Sequence, residues 1–147
     1  MNFILQVILS FFSIFGFAII FNIPRRSIFL ASINGMIGWI VFFYIQKFST
    51  NFVLPPLIGS LIVGLIGEIL AIYHKQPATL FIIPGIIPFV PGYGIYYTMF
   101  HILNNDLSNA LSTGVESIFV AIAIACGVVV ATSLTRFIRP YLERLLN

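Results

Sequence analysis

Five apolar runs, each about as long as a bilayer's hydrocarbon core is thick, leave this chain few ways to fold. An α-helix rises about 1.5 Å per residue, so about 20 apolar residues span that core. The runs predict helices at about 3–22, 27–45, 52–73, 78–101 and 114–138. Polar or basic links separate them: Asn22-Ile23-Pro24-Arg25-Arg26, then Gln46-Lys47 with Ser49-Thr50-Asn51, then His74-Lys75-Gln76-Pro77, and the stretch 101–112. The expected fold is an all-α integral membrane protein, a bundle of five transmembrane helices forming a single domain over residues 1–147. Composition agrees, with 60% hydrophobic and 7% charged residues. Soluble domains run at about 45–50% apolar and about 25% charged, and this chain could not cover a water-facing surface with polar groups. The formal charge of +3 does not mark a nucleic-acid partner, because the basic residues lie between apolar runs and not in patches.

Basic residues favour cytoplasmic loops, and here they set the expected orientation. With five crossings and the N-terminus outside, Arg25, Arg26, Lys75, Arg136, Arg139 and Arg144 are cytoplasmic, and Lys47 alone is outside. The expectation is therefore N-out and C-in, which requires the fourth run to cross. The first run has no basic residue before it and exceeds the usual core of a cleaved signal, so it reads as an uncleaved helix. Cys126, the single cysteine, cannot form an internal disulfide and reads as a small packing residue.

Helices in lipid associate where small residues allow close approach. Ala31, Gly35 and Gly38 fall at i, i+4, i+7 in the second run, with Asn34 beside them. Ser60, Gly64 and Gly67 repeat that spacing in the third, with Glu68 one turn beyond Gly64. Gln6, Ser10 and Ser13 share a face of the first run; Ser117, Ala121 and Ala125 share one of the fifth. The fourth run is different. It carries Pro84, Gly85, Pro88, Pro91, Gly92 and Gly94. Each proline inside a helix removes a donor, clashes with the carbonyl four residues back and costs about 3 kcal/mol. The carbonyls of Leu80, Pro84 and Ile87 then need other partners, and lipid offers none. Broken helices serve many transporters as substrate and ion sites, so the fourth helix reads as a functional break; a kinked packing helix is the plainer alternative.

The segment Ile82-Ile83-Pro84-Gly85-Ile86-Ile87-Pro88-Phe89-Val90-Pro91-Gly92, followed by residues 93–99, resembles the Pro/Gly signature of the threonine/serine exporter family. More narrowly, it resembles the small membrane subunit of the two-component type. The ending Gly16-Phe17-Ala18-Ile19-Ile20-Phe21-Asn22-Ile23-Pro24-Arg25 and the segment Gly35-Met36-Ile37-Gly38 are similar to that subunit's first and second helices. The resemblance covers almost the whole chain. It implies a secondary exporter of small hydrophilic metabolites, multi-pass in the cell (inner, cytoplasmic) membrane. It also implies a larger membrane subunit as partner in a hetero-oligomer.

Among the ionisable residues, Glu68 is the one acid well inside a run. A central charge costs about 2.5–3.5 kcal/mol on insertion scales, so Glu68 reads either as a proton carrier or as a carboxylate snorkelling to the near membrane edge. Thr113-Gly114-Val115-Glu116 matches a capping box, so Glu116 reads first as part of a helix start, with a place at the outer mouth of a substrate path as the alternative. Asp106, with Asn104 and Asn105, reads as a solvated turn. Asn22 is expected to fix a helix end and Asn34 to bond across helices, with substrate contact a lesser reading for both. No catalytic triad, metal cluster, phosphate loop or dinucleotide-binding pattern occurs, so neither an enzyme nor a cofactor is expected. The leading expectation is a proton-coupled exporter subunit for threonine, serine or related small organic acids such as succinate. The rivals are a structural subunit without its own substrate path and a homo-oligomeric channel.

Overall fold

The computed structural model describes residues 3–146, and within the last helix side chains only to Phe137 and at Arg139; Arg144 lies outside them. Among the described residues every regular element is helical: α1 (Phe3–Ile20), α2 (Arg25–Phe48), α3 (Leu54–His74), α4 (Thr79–Ile86), a short 3-10 turn (Ile87–Phe89), α5 (Gly92–Leu103) and α6 (Leu107–Leu146). Four helices are long and apolar enough to cross a membrane, namely α1, α2, α3 and the 107–137 part of α6. The fourth apolar run is a bent pair, α4 with its 3-10 turn and then α5, meeting at 49°. The polarity is that of a membrane protein. Ser32, Asn34 and Ser60 are fully buried, while Phe12, Ile20 and Val129 are more than half exposed.

Three helices end the same way, and none uses glycine. Asn22, Lys75 and Asn105 adopt left-handed backbone, with φ of 53°, 52° and 57°. At the first, Ile23 N–H donates to the Ala18 carbonyl (3.1 Å) and Asn22 N–H to that of Ile19 (3.0 Å). The same double bond recurs from Gln76 to Ala71 and Lys75 to Ile72, and from Asp106 to His101 and Asn105 to Ile102. Each is a Schellman motif that satisfies the last carbonyls of a helix. Asn tolerates this conformation through its short polar side chain. Asn22 thus closes α1.

Small residues set the packing of the bundle. Gly35 of α2 faces Gly85 of α4 so closely that a Cβ on Gly35 would stand 2.7 Å from the Gly85 Cα. A Cβ on Gly64 of α3 would stand 2.5 Å from the Ala131 Cβ of α6, and Gly127 abuts Ser60 and Leu57. Positions on α3 and α6 therefore rise together, so the two helices run parallel. At one end of the bundle, the Ser27 hydroxyl at the start of α2 donates to the Gln76 side-chain carbonyl after α3. Arg25, Arg26 and Lys75 gather at that end, with Arg136 at the matching height on α6.

α6 starts at Leu107 and not at 114, so Thr113 and Glu116 do not form a capping box. The cap is Asp106, whose carboxylate accepts from Asn109 N–H at 3.3 Å, directly after the left-handed Asn105. Thr113 sits mid-helix and its hydroxyl donates back to the Asn109 carbonyl (2.8 Å). The link between α5 and α6 shrinks to the turn at 104–106. Cys126 is also placed differently from its reading as a packing residue: it is exposed on α6, whose neighbours Ala123, Ile124 and Gly127 take the inward positions.

Candidate functional site

The break in the fourth run is built so that two of its three prolines cost little. Pro88 lies in the first positions of the 3-10 turn, and Pro91 immediately precedes α5, where a missing N–H leaves no bond unmade. Only Pro84 sits inside a helix. Two of the three carbonyls expected to need outside partners, those of Pro84 and Ile87, find local ones instead. The Pro84 carbonyl accepts from Ile87 N–H, and that of Ile87 from Val90 N–H at 3.1 Å. Around Pro91 (φ −76°, ψ 56°) the chain makes an inverse γ-turn, closed by Gly92 N–H to the Val90 carbonyl at 2.7 Å. The chain tightens, bends and resumes as α5.

Beside this bend lies a cavity of about 430 Å³. Pro88, Pro91, Gly92 and Gly94 line it, together with Gln46, Ser49, Thr50 and Glu116. Glu116 is exposed, one residue before buried Ser117, whose hydroxyl bonds the Thr113 carbonyl (2.7 Å). A smaller cavity of about 200 Å³ touches Pro88 from the far side and is lined by Gln6, Ser10, Ser13 and Trp39. The Gln6 side-chain carbonyl is buried there with no partner among the described residues. Three stacked rings close the inner side of the break: Trp39 on Phe42 at 4.9 Å and Phe42 on Phe89 at 5.5 Å.

The remaining candidate residues do not join that cavity. Pro84 and Gly85 are buried and pack deeper in the bundle, Gly85 against Gly35 and Val63. Asn34 is fully buried at the crossing of α2, α3 and α4. Its amide donates to the Val63 carbonyl at 3.0 Å and the Phe81 carbonyl at 3.2 Å, while its own carbonyl has no partner among the described residues. Asn22 is exposed at the rim of a separate surface hollow shared with Arg25. Glu68 lies on the α3–α6 seam and lines a third space of about 340 Å³, together with Gln76, Thr135, Arg136 and Arg139. That space adjoins Ala71 and Ile72 of α3, whereas the cavity at the break adjoins Pro55 and Pro56. At 1.5 Å per residue the two open roughly 24 Å apart along α3. Between them stands the tight layer of Asn34, Gly35, Gly67, Ile82 and Gly85, where a Cβ on Gly67 would meet Ile82 at 2.6 Å.

The polar residues Gln46, Ser49 and Thr50 read from the sequence only as a link, yet they line the cavity at the break. Their signal was the return of the chain through Pro55 and Pro56, which brings that link over the bend. Outside the spans, Asp106 is held below its ordinary value of 3.8, chiefly by the Asn109 side-chain amide (2.6 Å) and by the Asn109 backbone N–H. His101 Nδ1 lies 3.5 Å from the same carboxylate. Among the described residues no three His, Cys, Asp or Glu side chains gather to hold a metal ion.

The bundle thus has one space beside the broken helix and another at its opposite end, parted by a packed layer. No solved structure matches the chain. A family model described as Threonine/Serine exporter, ThrE, matches residues 6–134. The chain therefore belongs to the threonine/serine exporter family, and it is a multi-pass membrane protein of the transporter type.

Proposed function

We propose that this chain is a subunit of a proton-coupled secondary exporter of threonine, serine or related small organic acids such as succinate, in the cytoplasmic membrane. The observation that carries the reading is the cavity of about 430 Å³ between the Pro88–Pro91 bend and Glu116. Irregular backbone at membrane depth persists only against protein or a water-filled space, and here it borders a space that Glu116 also lines. In the proposed orientation, with the N-terminus outside and the C-terminus cytoplasmic, this cavity is the outer vestibule. The end holding Arg25, Arg26, Lys75 and Arg136 is cytoplasmic, in line with the bias of basic residues. Movement of the α4 half against α2 and α3 at the Asn34 layer closes one vestibule as it opens the other. Glu68, at the cytoplasmic vestibule, takes and releases the coupling proton. A larger membrane subunit of the same family completes the transporter, and the chain itself is not an enzyme.

Counterflow of labelled threonine or succinate in vesicles holding this chain with its larger partner tests the reading. Flux above empty vesicles is expected; an assembled complex with no flux sinks it. A second reading has its own observation. No residue of α5 is buried, and the face turned away from α6 is open to another polypeptide, which suits a structural subunit. Substituting Pro88 and Gly92 separates the two. Lost transport with an intact complex supports the exporter role, and lost assembly supports the structural one.

A further inference from the structure

Asn22, Ile23 and Arg25, where the first helix closes and the second begins, line a surface hollow of about 590 Å³ that belongs to neither vestibule. Phe15 and Ile19 of α1 and Ile28 and Phe29 of α2 complete its lining. Apolar and polar groups are sorted along it. The apolar side chains lie mainly within the two helices, and Asn22 and Arg25 stand where those helices meet their link. We propose that this hollow is a binding site for an anionic phospholipid, with Arg25 and Asn22 receiving the headgroup phosphate and an acyl chain lying against Phe15, Ile19 and Phe29. Such a site is independent of what the protein transports.

Depth in the membrane decides between occupants. α1 carries no charge from Phe3 to Ile20, and the first charges after it are Arg25 and Arg26. The hollow therefore straddles the boundary between hydrocarbon and headgroups, and its occupant needs one apolar end and one anionic end. A free phosphate would satisfy Arg25 and leave the apolar lining uncovered. A phospholipid satisfies both. The apolar path continues inward past Phe29, whose ring meets Phe11 at 5.8 Å, and Phe11 stacks on Phe15 at 6.3 Å. Ile19 and Phe29 are more than half exposed, so the entrance is open to a chain arriving from the bilayer.

Charge at this end of the bundle points the same way. Arg25, Arg26 and Lys75 gather there, with Arg136 and Arg139 around the neighbouring α3–α6 space; Glu68 lines that space and not this hollow. Among the described residues Arg25 pairs with no acid, and the ion pair of His101 with Asp106 lies at the opposite end. A guanidinium holds a phosphate through two parallel N–H donors, and the exposed Asn22 amide, free of hydrogen bonds among the described residues, stands ready beside it. The start of α2 has no side-chain cap, which adds partial positive charge. In the proposed orientation this is the cytoplasmic leaflet, where anionic lipids make the surface potential negative. Ala18, Ile23 and Ile28 cluster at the hollow, and Leu80 of α4 packs against the same cluster. A lipid seated there shares its footing with the helix that leads into the break.

The test is native mass spectrometry of the full chain purified in detergent, with folding checked by circular dichroism. The probes are phosphatidylglycerol, phosphatidylcholine with the same chains, and glycerophosphoglycerol, which is the anionic headgroup without chains. A single phosphatidylglycerol should bind saturably and about tenfold tighter than phosphatidylcholine, and glycerophosphoglycerol should not displace it. Arg25→Gln should weaken phosphatidylglycerol about tenfold, whereas Arg26→Gln, the same loss of charge just outside the hollow, should change it by no more than about twofold. Ile19→Trp fills the hollow without altering charge and should weaken both lipids together. Equal effects of the two arginine substitutions would show attraction to a basic surface and overturn the site, as would equal affinity for the two lipids. Displacement by glycerophosphoglycerol would assign the hollow to a free phosphate diester, and release of the lipid on assembly with the larger subunit would assign it to a protein contact. Either result refutes the lipid site. Unchanged affinity in Ile19→Trp would place the lipid elsewhere and refute it too.

Discussion

Asn34 is the residue on which three helices converge. Its amide bonds the carbonyls of Val63 and Phe81, so α2 is tied to α3 and α4 through one side chain. Hydrogen bonds between membrane helices contribute about 1–2 kcal/mol in model peptides. Asn34→Leu keeps the volume and removes both bonds, and should lower stability to denaturing detergent by about 1–2 kcal/mol. An unchanged unfolding midpoint would show that the layer is held by packing alone. At the tip of the α5–α6 hairpin, the Asn109 amide groups hold the Asp106 carboxyl below its ordinary value. A depressed carboxylate pKa stabilises the fold above the unfolded value, and that contribution is lost as pH falls through the lowered folded value. The Asn109 amide resonance should accordingly titrate with a midpoint under 3.8. Asp106→Asn should keep the cap and abolish the titration, and a midpoint at the ordinary value would refute the assignment.

At the scale of the element, α4 can lie against α2 only because Gly35 and Gly85 leave room. A side chain at 35 would also strike Ile14 Cδ1, at 2.6 Å from its first carbon. Gly35→Val should therefore cost about 1–3 kcal/mol by overpacking. Exposure of a cysteine placed at Phe81, measured by maleimide labelling in a Cys126→Ala background, should rise; unchanged protection would argue against this contact. The glycine spacing of α2 and α3 was legible in the sequence, because approach between helices in lipid leaves a stripe of small residues. So was the break, since Pro88 and Pro91 cannot both sit mid-helix. The start of α6 was not. The pattern from Thr113 to Glu116 fits a cap as well as Asp106 does, and only the turn through the left-handed Asn105 decides between them. The site was legible in part for a related reason. Sequence spacing gives the face of one helix, but that Glu116 and Pro91, or Glu68 and Arg136, line one space depends on how separate helices register.

The whole molecule has a basic end and a nearly neutral end, and orientation in the membrane follows from that difference. With Cys126 replaced, a cysteine at Lys47 should react with an impermeant maleimide in intact cells, and one at Lys75 only after the membrane is opened. The reverse pattern would invert the proposed topology. The vestibules would then exchange sides, and Glu68 would face outward. The twelve residues of α5 carry a further consequence. At about 18 Å they are too short to cross the hydrocarbon core alone, and their substantial helix partner is α6, where the Thr98 and Thr113 hydroxyls meet at 3.1 Å. In the five-span reading, the ribosome has therefore finished α5 before the surface it packs on exists. In that reading the C-terminal half of the fourth crossing gains its packing surface only once the fifth has followed it.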